Sequence, residues 1–330
     1  MSFSIILTAV VAFGITVLCG ILLIPVLRRL KFGQSILEEG PSWHKSKQGT
    51  PTMGGIMFIA GIAVAVIAGY FLLLADNYAF KGTLELMQLF GGLVMALLFG
   101  LVGFLDDYIK VVKKRNLGLT AWQKIVGQVL VTALYLAALY AAGDRSTIIN
   151  VPFLGQWDLG LFYYPVLGIL IIGIVNSVNL TDGIDGLCSS VTFVAAIFFM
   201  IVSAFTGQAG MSILSTALAA GCVGFLVFNA HPAKVFMGDT GSLFLGGMVV
   251  ALGFGMNMEF ILFFAGFVYC CESLSVILQV ISFKTTGKRI FKMSPIHHHF
   301  EMSGFSENKI VLLFSAVTFV MCVIGFFAFV

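Results

Sequence analysis

Hydrophobic residues run along this chain in long unbroken stretches, not at every second position or on one face of a helical repeat. Ten stretches are legible, at 3–27, 51–74, 84–105, 121–142, 161–179, 188–206, 211–229, 242–257, 259–281 and 308–329. Most approach the roughly 20 apolar residues that a helix needs to cross a bilayer core. Such a helix pairs its own backbone polar groups within lipid, so the pattern predicts membrane-spanning helices. A barrel would show shorter, alternating strands. The expected fold is all-α: a polytopic membrane protein with about ten transmembrane helices in a single integral membrane domain, 1–330. The stretch at 242–257 is short and contains glycines, which suggests tilt, interruption or uncertain limits. The first stretch is too long for a cleaved signal and has neither a basic leading region nor a small-residue cleavage site, so it reads as a spanning helix. No internal repeat or low-complexity tract stands out.

Composition agrees with this pattern. Hydrophobic residues make up 59% of the chain and charged residues 10%, against about 25% charged in soluble domains. The six cysteines, Cys19, Cys188, Cys222, Cys270, Cys271 and Cys322, fall in or beside apolar stretches and form no CxxC pair. They imply neither a disulfide framework nor a thiolate metal site.

Charge then orients the chain. With both termini outside, one side holds Arg28, Arg29, Lys31, Lys45, Lys47, Lys110, Lys113, Lys114, Arg115, Lys124, Lys234, Lys284, Lys288, Arg289, Lys292 and Lys309. The other side keeps Lys81 and Arg145. By the positive-inside rule the first side is cytoplasmic. The outer segment 143–160 reads as a plain interfacial loop. The cytoplasmic segments, 28–50, 106–120, 180–187, 230–241 and 282–307, contain all five histidines (His44, His231, His297, His298 and His299). Asp106, Asp107, Asp182, Asp185 and Asp239 are there as well. That distribution predicts one active site at the cytoplasmic membrane face.

Each segment carries its own chemistry. Asp106 and Asp107 are adjacent carboxylates at a helix end, which need a cation; Lys110, Lys113, Lys114, Arg115 or Mg²⁺ could supply it. In KQGTPTMGG at 47–55, a proline at a helix start, glycines and Lys47 could cradle an anion, or could simply begin a closely packed helix. In the run 176–187, Asn176, Asn179 and Asp182 share a helical face, while Gly183 and Gly186 make an uninterrupted helix doubtful. The run is not an EF-hand loop, which needs a closing glutamate. Asp239, flanked by glycines, could ligate a metal in an open turn or cap the next helix. Phe236 could stack on a base, although a ring three residues from a carboxylate more often serves packing. His297, His298 and His299 are consecutive and point in different directions, which disfavours a compact zinc site and suits contacts to phosphate oxygens. Glu272 is the one carboxylate well inside a predicted span. Together the set suits Mg²⁺-assisted phosphoryl transfer between a soluble phosphorylated molecule and a lipid phosphate.

The motifs GTPTMGG at 49–55, GFLDDY at 103–108, NLTDGIDGL at 179–187, FMGDTGS at 236–242 and PIHHHFE at 295–301 resemble those of one family. It is the phospho-N-acetylmuramoyl-pentapeptide transferase (MraY) family of the polyprenyl-phosphate N-acetylhexosamine-1-phosphate transferase superfamily. The resemblance extends over essentially the whole chain and includes the ten-span layout. It implies transfer of phospho-MurNAc-pentapeptide from UDP-MurNAc-pentapeptide to undecaprenyl phosphate, giving lipid I and UMP with Mg²⁺, in peptidoglycan synthesis at a bacterial plasma membrane. By the same resemblance Asp239 is the Mg²⁺ ligand, and Asp106 and Asp107 are the catalytic pair, with Asp106 the usual candidate base. Asp182 and Asp185 line the nucleotide-side pocket. Asn229, Asp185 and Phe236 contact uridine, with Phe236 stacking on uracil, and Lys47, Thr52 and Asn179 complete that pocket. His297, His298 and Lys124 join the catalytic set. The implied partners are the two substrates, membrane lipid and a second copy in a homodimer, with no nucleic acid. The alternatives are a sister transferase using UDP-GlcNAc and, in another class, a secondary transporter, which should carry its key charges near the membrane midplane.

Overall fold

The computed structural model describes residues 2–30, 47, 49–112, 118–152 and 154–330. Lys31, His44, Lys45, Lys113, Lys114 and Arg115 lie outside the described residues. The long helices are α1 (Ser2–Arg29), α2 (Gly55–Ala75), α3 (Gly92–Val112), α4 (Ala121–Ala142), α5 (Tyr163–Thr181), α6 (Leu187–Phe205), α7 (Ala209–Asn229), α8 (Gly238–Gly255) and α9 (Phe267–Thr286). A short α10 (Ile296–Glu301) precedes the last long helix, α11 (Glu307–Phe329). A helical turn at Thr83–Leu86 and a π turn at Met87–Gly91 lead into α3. Among the described residues, 10 helices are long and apolar enough to cross a membrane.

The stretch that looked least regular in sequence is the centre of the bundle. α8 is continuous, and 89% of it is buried. Helices in lipid gain little from hydrophobic burial against one another, so close packing must hold them together. The glycines of α8 make that packing possible. A Cβ on Gly246 would lie 2.7 Å from the Val175 Cα on α5, and one on Gly247 2.7 Å from the Ala96 Cα on α3. On the facing side, a Cβ on Gly55 of α2 would lie 2.3 Å from the Gly241 Cα. Three neighbouring backbones therefore rest directly on α8, that of α2 beside the first turn, which carries Asp239.

Four boundaries differ from the sequence expectation. α3 does not end near Leu105 but runs on through Asp106 and Asp107 to Val112. It can do so because Lys110, one turn on, pairs with Asp106 at 2.6 Å. α8 begins at Gly238, so Asp239 stands in a helical first turn and not in an open loop. α9 begins at Phe267, after short turns at Glu259–Ile261 and Leu262–Ala265. The segment 143–160 is not a plain loop: Ile148–Val151 (β1) and Gly155–Asp158 (β2) pair antiparallel, with Ile149 opposite Trp157. Gly155 takes the left-handed φ of +84° that the tight turn requires. Four-residue strands are too short to show a period in sequence.

Candidate active site

The adjacent aspartates on α3 are both buried, and they face different partners, because consecutive residues on a helix are rotated by about 100°. Asp107 is turned to the start of α8. Its Oδ2 accepts from the Thr240 amide at 2.9 Å and the Thr240 hydroxyl at 2.7 Å, and its Oδ1 accepts from the Asp239 amide at 3.3 Å. The first amides of a helix have no partner within it and carry partial positive charge, so a carboxylate there is stabilised. Gly238 permits this approach: its φ is +71°, and a Cβ would lie 2.5 Å from Asp107 Oδ2 and 2.8 Å from the hydroxyl of the buried Thr52.

Asp106 faces the cations. Its Oδ2 is 2.6 Å from Lys110 Nζ and 3.8 Å from Lys124 Nζ, and its Oδ1 accepts from the Leu119 amide at 2.8 Å. The same lysines reach Asp239. Lys124 Nζ donates to Asp239 Oδ2 at 2.6 Å, and Lys110 Nζ donates to it at 3.1 Å. Asn179, at the end of α5, donates to Asp239 Oδ1 at 2.9 Å and to Ser242 Oγ at 2.7 Å. Four helices, α3, α4, α5 and α8, thus meet at one carboxylate and lysine network.

A second cluster adjoins the turn between α5 and α6. Lys47 donates to Asp185 Oδ1 and to Glu307 Oε2, each at 2.7 Å. Asp185 Oδ2 accepts from the Ala233 amide at 2.9 Å and lies 3.0 Å from His231 Nδ1. The Asp185 amide donates to Glu307 Oε2 at 2.9 Å. Asn229 receives the Gly186 amide at 3.2 Å and donates to the Val235 carbonyl at 3.0 Å, tying the two polar turns together. Asp182 follows the end of α5 and feels the charges of both clusters. Burial, then the charges of Asp239, Asp107 and Asp185, push its carboxyl up to about 8.

The three histidines have different Nδ1 partners, but the rings of His297 and His298 lie side by side with centroids 4.1 Å apart and do not point apart as their spacing predicts. His297 Nδ1 lies 3.0 Å from Glu272 Oε1, His298 Nδ1 lies 2.6 Å from Glu301 Oε2, and His299 Nδ1 accepts from the Lys292 amide at 3.1 Å. His297 reaches the site: a Cβ on Gly183 would lie 2.1 Å from its Nε2.

Of the two readings of the start of α2, the closely packed helix start holds, because the Gly54 and Gly55 amides donate to the Phe236 and Met237 carbonyls at 2.8 and 3.0 Å. A further sequence expectation changes. Asn176 does not join Asn179 and Asp182; it exchanges hydrogen bonds with Gln128 of α4 at 2.7 and 3.2 Å. The Phe236 ring is half-buried, while its amide donates to the Pro51 carbonyl at 2.8 Å. Sequence reasoning missed Glu307, which closes the Lys47 cluster, and the capping role of Thr240. Glu307 had a signal: it is acidic and stands at the head of an apolar stretch, as Asp239 does.

Asp106, Asp107 and Asp239 bring carboxylate oxygens within 4.8 Å of one another, and so do Asp185 and Glu307 with a nitrogen of His231. The first set consists of hard oxygen donors, as a magnesium-like ion requires. Both oxygens of Asp107 hold the start of α8, whereas Asp106 and Asp239 face Lys110 and Lys124, mobile side chains whose contacts a bound metal would replace, so these two are the donors that fit a metal. In the second set Lys47 bonds both acids, Asp185 and Glu307, and the third donor is the His231 nitrogen, which suits a hard oxygen-seeking ion less.

Residues 89–257 match the model of glycosyl transferase family 4, and residues 47–59 match phospho-N-acetylmuramoyl-pentapeptide-transferase signature 1. A phospho-N-acetylmuramoyl-pentapeptide-transferase of Heliobacterium modesticaldum is 50% identical over 319 residues, covering 96% of this chain and 95% of the relative. The protein of the same name from Bacillus subtilis is 48% identical over 324 residues, covering 98% and 97%. That of Clostridium perfringens is 47% identical over 324 residues, covering 98% and 96%. With ten apolar helices among the described residues and whole-length identity near one half, the chain belongs to the phospho-N-acetylmuramoyl-pentapeptide-transferase family, enzymes of peptidoglycan synthesis embedded in the membrane.

Proposed function

We propose that this chain transfers phospho-MurNAc-pentapeptide from UDP-MurNAc-pentapeptide to undecaprenyl phosphate, releasing UMP and forming lipid I, with Mg²⁺ as cofactor. The reaction takes place at the cytoplasmic face of a bacterial plasma membrane, in a single-domain chain that pairs as a homodimer. The observation that carries the reading is the meeting of Asp106, Asp239, Lys110, Lys124 and Asn179 at the ends of apolar helices, beside the Lys47, Asp185 and Asn229 turn. Phosphoryl transfer needs charge neutralisation and alignment more than covalent help.

In this reading an oxygen of the lipid phosphate attacks the β-phosphorus of the sugar nucleotide. The bond from that phosphorus to the bridging oxygen breaks, and UMP leaves with the electron pair. The attacking oxygen is already ionised, so it requires little base catalysis. Lys110 and Lys124 are placed to draw phosphate oxygens to the network, and Asp106 and Asp239 hold both lysines in place. Mg²⁺, held by Asp239 with Asp106, would neutralise diphosphate charge. Direct attack is favoured over a phosphosugar–aspartate intermediate, because Asp106 is bound to Lys110 and Asp107 to the α8 amides, and neither is a free nucleophile. Phe236, Asp185 and Asn229 receive the uridine. An apolar cleft of about 800 Å³ between α4 and α5, lined by Val129, Thr132, Leu136, Tyr140, Tyr164 and Ile169, begins about one turn beyond Lys124 and Asn176 and suits a lipid chain.

The test is UMP release from purified protein with undecaprenyl phosphate and either UDP-MurNAc-pentapeptide or UDP-GlcNAc, with and without Mg²⁺. Release from the first donor alone, and only with Mg²⁺, is expected. Release from UDP-GlcNAc alone would assign the chain to the sister activity, and transport in liposomes without UMP would remove the transferase reading.

A further inference from the structure

Glu272 lies within α9 and is fully buried, as is His297. An acidic group at membrane depth is costly, so its partner identifies its task. That partner is His297: the ring nitrogen Nδ1 is 3.0 Å from Glu272 Oε1, and the His297 amide donates to Glu272 Oε2 at 3.4 Å. One carboxylate therefore holds both the ring and the backbone at the head of α10. Glu272 Oε2 accepts from the His297 amide, and the Nδ1 contact with Oε1 occupies one ring nitrogen and leaves Nε2 for another partner.

The other ring nitrogen has no hydrogen-bond partner among the described residues. His297 Nε2 is buried and unbonded, and it faces Gly183, where a Cβ would lie 2.1 Å away. Gly183 follows Asp182 in the turn that separates the carboxylate and lysine network from the Lys47 cluster. An unsatisfied polar atom buried at that point is costly in a purely structural histidine, and it is what a ligand-facing one requires. His298 Nδ1 is held from within the same short helix, by Glu301 at 2.6 Å, whereas the group that holds His297 comes from α9.

We propose that Glu272 is a positioning residue for the transfer: by holding His297 Nδ1 and the His297 amide, it presents Nε2 to the Asp182–Gly183 turn, where a phosphate or sugar oxygen of the substrate is received. Glu272 touches no substrate and acts only through His297. This rests on the transferase reading above.

A double-mutant cycle on the full-length protein in detergent tests it, using Glu272→Leu, Glu272→Gln, His297→Ala and the two combinations. Thermal melting and UMP binding are recorded beside kcat and KM for each variant. Glu272→Leu should lower kcat by about tenfold or more, as loss of the partner that orients a functional histidine does. Glu272→Gln keeps a hydrogen-bond partner for Nδ1 and should recover a large part of that loss. On the His297→Ala background neither change should lower kcat further. Equal fold-losses on both backgrounds, or a Glu272→Leu enzyme with unchanged kcat, would overturn the proposal. If Glu272→Leu does not fold, Glu272→Ala, which also removes the acceptor, takes its place in the cycle and is judged by the same criterion. If wild-type protein uses UDP-GlcNAc instead, the donor assignment fails, while the cycle run on that donor still tests Glu272.

Discussion

Asp107 caps the helix that carries Asp239: its Oδ2 accepts from both the amide and the hydroxyl of Thr240, at 2.9 and 2.7 Å. Its neighbour Asp106 faces Lys110 and Lys124 instead. The two adjacent carboxylates therefore divide their work, one holding the site's central helix and the other holding its cations.

Substitution should separate the two roles. Asp107→Ala removes a helix cap with charge-assisted bonds and should cost about 1–3 kcal/mol of stability, together with activity. Asp106→Asn keeps the shape and should lower turnover strongly, with a smaller change in melting temperature. Thermal melting and UMP release on both variants check this. Equal melting shifts for the pair would argue against the division.

Glu307 binds Lys47 and the Asp185 amide. Glu307→Gln weakens an ion pair and leaves Asp185 less firmly placed, so affinity for UMP should fall by about 1–2 kcal/mol while the lipid-acceptor KM changes little. Calorimetric titration with UMP, beside acceptor kinetics, measures both. An unchanged UMP affinity would remove Glu307 from the nucleotide side.

Phe236 offers a half-buried ring next to the Asn229 turn. If uracil stacks on it, Phe236→Ala should weaken uridine-nucleotide binding by about 1–3 kcal/mol and leave the acceptor KM nearly unchanged. Equal losses for both substrates would indicate a packing role instead.

Asp182 should leave a signature in pH. Its carboxyl is raised to about 8 by burial and by the neighbouring carboxylates. In the folded protein it keeps its proton across a range where the unfolded chain has lost it. Its contribution to stability is thus fully present below the unfolded value near 4, falls as pH rises, and is gone above about 8. Without Mg²⁺, wild-type protein should lose melting temperature between pH 5 and 8 more steeply than Asp182→Asn, and the two should run parallel above that range. Parallel curves throughout would show that Asp182 does not carry the proton.

Much of this was legible along the chain. Ten long apolar stretches stand out because lipid imposes a length on each helix, and α4 matches its expected limits of 121 and 142. Asp106, Asp107, Asp182, Asp185 and Asp239 were visible because carboxylates are rare beside such stretches. What stayed hidden depends on distance in space. That the glycine-rich stretch is the buried centre follows from its contacts with Val175, Ala96 and Gly55, and no local pattern shows them. The extension of α3 past its aspartates depends on Lys110, and the early start of α8 on Asp107, which is 132 residues from Asp239. The 148–158 hairpin was too short to show a period, and Glu307 joins Lys47 only when the last long helix packs home.

Asp239 is the most direct test of the whole account, since it joins Lys110, Lys124 and Asn179 and is the proposed Mg²⁺ ligand. The measurement is UMP release from UDP-MurNAc-pentapeptide and undecaprenyl phosphate across a Mg²⁺ titration, for wild-type protein and for Asp239→Ala. The account predicts Mg²⁺-dependent release by the wild type and none by the variant at any Mg²⁺ concentration, with the variant still folded. Near-normal release by Asp239→Ala at ordinary Mg²⁺ would contradict it.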